Sequence, residues 1–320
     1  MKHTFFLAAM VLTAFAGCTK NPTDGGGVAP PTPVYPIIDD YPAWSPDGSK
    51  IAYFSLGTTY VSESGGYTFW PESLGIWLIN VDGTGRRRLI SGGSAPDWSP
   101  AGGKLAFTLN KQIYVADSNG QNIVQLTTGG VNCFPSCSPD GKKIAWDTNY
   151  NDSLGANVIW IMNDDGSNKK DISQHQVGEW RMPDWTPDSR IVHIRYPGGN
   201  VFSSEIFIMD STGQNPLRVT NNSETDYLPK VSPNGNRIVW SSQSSGEAPQ
   251  IWVMNDDGTN KVKLTTEGGE APCWSPDGSK IAYTRYDWRV YSSYNGAIWI
   301  MNADGTNKRQ LTFNWHPRTY

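Results

Sequence analysis

The 320-residue sequence is short of charge, histidine and cysteine, and each shortage closes off a class of function. Charged residues make up 18%, with 26 Lys and Arg against 30 Asp and Glu for a formal net charge of −4. A nucleic-acid binder needs a basic face to displace phosphate counterions, so no nucleic-acid partner is expected. There are four His. His193 sits inside an apolar strand pattern, and His175 and His316 fall far apart in the repeat order described below, so neither a metal site nor a cofactor is expected. The turns Asn163-Asp-Asp-Gly166 and Asn255-Asp-Asp-Gly258 lack the spaced acids and closing Glu of a calcium loop. No Gly-x-Ser-x-Gly elbow occurs, and no catalytic residue is assigned. Long apolar runs are also missing: Phe5 to Ala16 is the longest, too short to span a bilayer.

What is present in excess is turn and ring chemistry. The chain has 33 Gly, 22 Pro and 14 Trp. Many turns with large rigid side chains between them point to an all-β protein of short strands. The aromatic content excludes disorder.

The first residues read as an address. Lys2 precedes the apolar run, which ends Phe15-Ala16-Gly17-Cys18. Small residues before a Cys resemble the lipobox of bacterial lipoproteins, which implies a signal peptide over 1–17 and acylation of Cys18. Several acyl chains at roughly 0.8 kcal/mol per buried CH₂ would anchor the chain to a membrane permanently. Residues 18–36 are rich in Gly and Pro, cannot pack, and read as a tether that extends up to about 50 Å. Cys133, Cys137 and Cys273 remain, an odd number. An extended Cys133-Phe-Pro-Ser-Cys137 separates its ends by about 13 Å, so a disulfide there requires a bend at Pro135.

Self-similarity decides the architecture. One phrase, Trp44-Ser-Pro-Asp-Gly-Ser-Lys-Ile-Ala-Tyr53, recurs at Trp98, Cys137, Trp185, Val231 and Trp274. A second, Ile298-Trp-Ile-Met-Asn-Ala-Asp-Gly305, has counterparts beginning at Ile76, Ile113, Ile159, Ile206 and Ile251. Ser-Pro-Asp-Gly and Asn-x-Asp-Gly are turns; Lys-Ile-Ala-Tyr and Ile-Trp-Ile-Met are short apolar strands. The fourth copy, Trp185-Thr-Pro-Asp-Ser-Arg190, lacks the Gly and is one residue shorter, which predicts a tighter turn. Four strands in each of six repeats make a six-bladed β-propeller of four-stranded antiparallel blades over 37–320.

These phrases resemble the repeat of the TolB family, periplasmic propellers of the Tol–Pal envelope system. The resemblance covers Tyr41 to about Thr312. It implies a cell-envelope location and a non-catalytic protein-binding role; the α/β domain that TolB carries ahead of its propeller is absent from this sequence. Thr19 after the Cys, in place of Asp, points to the outer membrane. A monomer is expected.

Strand parity sorts the loops. The Ser-Pro-Asp-Gly and Asn-x-Asp-Gly turns share one face; the other carries the loops between the second and third strands and the links between blades. That second face varies, which is where a rigid scaffold usually binds. Ten Trp belong to the repeat phrases and read as packing between blades, each contributing about 4–6 kcal/mol at most. Trp70, Trp180, Trp288 and Trp315 do not. With Tyr67, Phe69, Tyr286, Tyr291, Tyr294 and His316 they form the candidate partner-binding set, most of it on blades 1 and 6, which meet when the ring closes. A second candidate is the channel mouth, where the innermost strands begin with Asp40, Arg181, Tyr227 and Glu270 beside Ser94 and Cys133. Asp40 and Glu270 on adjacent blades suit a cation or a basic peptide. The rival is a carbohydrate-binding or polysaccharide-lyase propeller with the aromatic loops as a stacking platform; Gln174-His175-Gln176 faintly resembles the His/Gln metal site of pectin-fragment lyases.

Overall fold

The computed structural model describes residues 38–56, 59–61, 67–69, 74–150, 156–173, 179–196, 203–286 and 296–313. All regular structure among them is strand or turn. Six four-stranded antiparallel sheets, built from consecutive strands in every blade but the first, pack in a ring as the six blades of a propeller. Their innermost strands are Asp39–Trp44, Ser94–Trp98, Asn132–Cys137, Trp180–Trp185, Thr225–Val231 and Glu270–Trp274. A two-stranded hairpin, Thr59–Val61 with Tyr67–Phe69, extends the blade 1 loop.

The two repeat phrases do what their chemistry predicts. Ser45 Oγ accepts from Lys50 N at 3.0 Å and donates to Asp47 at 2.5 Å, which locks the Ser-Pro-Asp-Gly turn. In the second phrase Asp304 accepts from both Thr306 N and Thr306 Oγ1. The turn at Thr186 closes onto Arg190, one residue sooner than its counterparts, and Ser189 takes the left-handed position (φ 67°) that Gly holds elsewhere. The two turns of a blade bond to one another, as in Val81 N to Ser49 O and Ala303 N to Ser279 O, so they do share a face.

Cores form between blades rather than within them. Ala43, Ala52 and Ile76 of blade 1 pack with Leu105 and Phe107 of blade 2. Trp44, Tyr53 and Ile79 of blade 1 pack with Ile298 and Leu311 of blade 6, which closes the ring. Trp44, Trp98, Trp185 and Trp274 are all buried. Closure uses no shared strand among the described residues. Ile38 makes only an isolated parallel bridge to Gly296, and Asp40 of blade 1 accepts from Thr284 Oγ1 and the Tyr286 hydroxyl of blade 6, both at 2.8 Å.

One feature recurs in every inner strand. Tyr41, Ala95, Phe134, Met182, Leu228 and Ala271 all sit at φ between 45° and 55°, each is followed by Pro, and each lies within a break in pairing with the second strand. This is a β-bulge in left-handed backbone, which costs a non-glycine residue about 1–2 kcal/mol. The proline removes an N–H that the bulge leaves without a ladder partner. Ala95→Gly and Ala271→Gly relieve the Cβ strain at little packing cost and are expected to leave the melting temperature unchanged or slightly raised. Leu228→Gly empties the channel lining and is expected to lower it by several degrees; thermal unfolding of the three variants checks this.

Candidate functional site

The six bulges meet at the axis. Their side chains and the six prolines line a narrow cavity of about 50 Å³, with Lys230 at its edge. Tyr41 of blade 1 and Phe134 of blade 3 touch edge-on across it, with ring centroids 5.6 Å apart. The channel is therefore narrowed by side chains at this level. Glycine would ease the backbone at all six positions; the chain keeps a side chain at each, and those side chains make the plug.

Above the plug, towards the variable face, lie the sequence-predicted mouth residues. Asp40 is buried and fully engaged: besides Thr284 and Tyr286 it accepts from Tyr41 N at 2.7 Å. Glu270 accepts from the Tyr227 hydroxyl. Burial raises the pKa of both carboxyls; Asp39 raises Asp40 further, and Asp40 raises Glu270 further. Burial likewise pushes the Tyr227 and Tyr286 hydroxyls well above their usual range. This half of the mouth carries less negative charge than its residue types suggest.

The opposite half belongs to blades 3 and 4. Arg181 Nε lies 3.9 Å from Asp147, whose carboxylate also accepts from Met182 N at 3.0 Å. Burial pushes Asp147 up to about 6 despite the neighbouring guanidinium. Cys133 lies beside this pair, and burial pushes its thiol up to about 12. Cys133, Cys137 and Cys273 are all free thiols, with no disulfide between the first two.

Two members of the predicted aromatic set are placed differently from the sequence expectation. Trp180 is fully buried, stacked on His193 at 4.7 Å with an interplanar angle of 5° and covered by the Arg195 guanidinium at 4.1 Å. It occupies the inner-strand position facing the second-strand aromatic. At that position Asn132 accepts from Trp146 Nε1 and Asp226 from Trp240 Nε1. Where the facing ring is Phe107 or Tyr283 the position is Gly93 or Gly269, and a Cβ there would lie 3.0 or 3.2 Å from that ring. Trp180 is thus a repeat residue paired with the one histidine in the series. Tyr286 is also buried, and its hydroxyl closes the blade 1–blade 6 seam. Neither is presented to a partner. Trp70, Trp288, Tyr291, Tyr294, Trp315 and His316 lie outside the described residues, as do the side chains of Tyr67 and Phe69 and the segment with His175. Among the described residues no group of three His, Cys, Asp or Glu is placed to hold a metal ion.

Sequence reasoning missed the level below the plug. Lys230 of blade 5 reaches Asp184 of blade 4 at 2.8 Å and Asp97 of blade 2 at 3.4 Å. The signal for this level was the Pro two residues before each repeat Trp or its replacement.

With the geometry in hand, the model of the TolB beta propeller domain matches residues 35–202 and 169–318. The chain belongs to this family. A protein of Agrobacterium fabrum with no assigned function is 26% identical over 265 residues, covering 78% of this chain and 86% of its own length. The Tol-Pal system protein TolB of Francisella tularensis is 24% identical over 251 residues, covering 73% of this chain; the chain spans 54% of that relative. Among solved structures, TolB of Acinetobacter baumannii superposes with a TM-score of 0.63 at 21% identity, over 84% of this chain and 62% of that one. An oligogalacturonate lyase in complex with manganese superposes at 0.55 and 14% identity, over 86% and 77%. Likeness at these identities describes the fold.

The buried acids of this TolB-family propeller give it a defined pH response. A carboxyl raised in the folded state keeps its proton at pH values where the unfolded chain has lost it. Stability contributed by Glu270 therefore falls as pH rises through its raised folded value and is constant above it. The turn carboxylates Asp47 and Asp277 act oppositely: serine hydroxyls and a backbone N–H lower both to about 2, so their contribution is lost only in strong acid. Glu270→Gln, a neutral mimic, is expected to reduce the fall in melting temperature between about pH 6 and about pH 9, with wild type and variant scanned in parallel.

Proposed function

We propose that this chain is a cell-envelope TolB-type propeller that acts as a non-catalytic protein-binding module, lipid-anchored through Cys18 and engaging its partner on the variable face. The observation that carries this reading is the difference between the two ends of the ring. The repeat-turn face is regular and joined between blades by ion pairs, such as Lys104–Asp164 at 2.5 Å and Arg190–Asp256 at 3.3 Å. The variable face carries the channel mouth and the long loops of blades 1 and 6. Kinship with Tol-Pal system proteins supports an envelope protein or peptide as the partner. The lipobox-like Phe15-Ala16-Gly17-Cys18 supports anchoring, with the outer membrane favoured by Thr19.

In this reading the partner meets the rim of the mouth, Arg181, Tyr227 and Glu270, and the loop aromatics Tyr67, Phe69, Trp70, Trp288, Tyr291, Tyr294, Trp315 and His316. Asp40, with three donors already on its carboxylate, holds the rim in place. A rigid ring lets a partner bind while ordering little of the protein.

In-cell photo-crosslinking from position 288, with position 82 on the repeat-turn face as the control, tests this. The expected result is one abundant envelope protein captured from 288 and not from 82, and lost on Trp70→Ala. Capture from both positions alike, or of no protein from a demonstrably exposed 288, overturns it and turns attention to wall and capsule polysaccharides.

A further inference from the structure

Each inner strand places one residue directly after its proline: Ala43, Asp97, Ser136, Asp184, Lys230 and Cys273. In three blades that side chain accepts a hydrogen bond from the backbone of the next blade. Asp97 accepts from Cys137 N at 2.8 Å, Ser136 from Trp185 N at 3.4 Å, and Asp184 from Val231 N at 2.9 Å. This level stitches blade 2 to blade 3, blade 3 to blade 4 and blade 4 to blade 5.

Lys230 breaks the pattern. A lysine ammonium has no lone pair to accept with, so it cannot make the stitch to blade 6. Instead its own carbonyl accepts from Trp274 Nε1 at 3.2 Å, and the side chain turns across the axis. Blades 5 and 2 are three apart in a ring of six, so the contact with Asp97 joins opposite walls. Ser136 Oγ lies 3.2 Å from the same Asp184 oxygen that receives Lys230. One ammonium thus ties blades 2, 4 and 5 directly and blade 3 through Ser136.

We propose that Lys230, Asp97 and Asp184 form a bolt across the channel that narrows its repeat-turn end and braces the ring from within. Two features place the bolt where it has most effect. It lies below the Tyr41–Phe134 contact, so side chains cross the channel at two successive levels. It also spans the ring between walls that no backbone ladder joins, while the blade 1–blade 6 seam has its own link through Asp40.

The three groups are partly enclosed, with side-chain exposures of 28% for Lys230, 19% for Asp97 and 12% for Asp184. Removal of the lysine leaves two carboxylates facing the axis with no cation between them in a poorly solvated place, and removal of Asp97 leaves Lys230 with Asp184 alone. Removal of the lysine and an acid together relieves much of that, and this is what separates a bolt from three unrelated polar residues.

The test is a double-mutant cycle on the full-length chain. Lys230→Met, Asp97→Asn and the pair are compared for unfolding equilibria and for amide exchange of the inner-strand segments 132–137 and 225–231. Lys230→Met is expected to speed exchange of both segments by roughly tenfold or more while the second strands of blades 1 and 6 are unchanged. The effect of Asp97→Asn is expected to be at least several-fold smaller in the Lys230→Met background. Additive effects of the two changes, or unchanged exchange in Lys230→Met, overturn the proposal. Should Lys230→Met not fold, Lys230→Arg, which keeps the charge and the reach, is expected to fold with near-normal protection; its failure to do so overturns the proposal as well.

Discussion

The left-handed residue before each inner-strand proline is the constraint on which the rest of this propeller depends. Six residues held at φ near 50° carry a backbone cost that neighbouring structure must offset. The offset comes from what the bulge does to the following residues. It turns the strand so that the residue after the proline faces the next blade, where Asp97, Ser136 and Asp184 take up backbone N–H groups. It also sends the bulge side chain to the axis, where Tyr41 and Phe134 meet. Stitching between blades and narrowing of the channel are therefore one device seen from two sides.

The blades were legible because their turns have strict chemistry. Ser-Pro-Asp-Gly and Asn-x-Asp-Gly fix a hairpin through side-chain bonds to their own backbone, and the apolar triplets between them leave no alternative to short buried strands. Even the missing residue at Ser189 translated directly into a shorter turn. The inner strand was less legible, since its constant element is a single proline among variable neighbours: Tyr-Pro-Ala-Trp in blade 1, Leu-Pro-Lys-Val in blade 5. Trp180 was misplaced for a related reason. As an aromatic outside the repeat phrases it looked like surface, but five residues before Trp185 it stands where Asp39 stands before Trp44, and it stacks on His193. Lys230 was illegible in principle, because Asp97 is 133 residues away and only ring closure brings it near.

The mouth shows how far residue type alone can mislead about charge. Asp40 and Glu270 on adjacent blades read as a place for a cation. In the fold, Asp40 already receives three donors; burial raises both carboxyls, and the Asp40 charge raises Glu270 further. The Asp40 carboxylate is spent on the ring seam, so the electrostatic pull of this half of the mouth is weak near neutral pH. The Arg181–Asp147 pair opposite is loosely coupled at 3.9 Å, and the guanidinium is the more available charge at the rim.

In the proposed binding role the variable face relies little on charge. With its acids neutral or occupied, and its floor made of Tyr41, Phe134, Met182 and Leu228, the mouth offers apolar surface ringed by hydroxyls and one guanidinium. In that role such a surface discriminates by shape more than by charge, since the Tyr227 and Tyr286 hydroxyls are already engaged by Glu270 and Asp40. The same burial makes the charge of this face depend on pH: as pH rises through the raised pKa of Glu270, its carboxyl gains a negative charge beside Asp40.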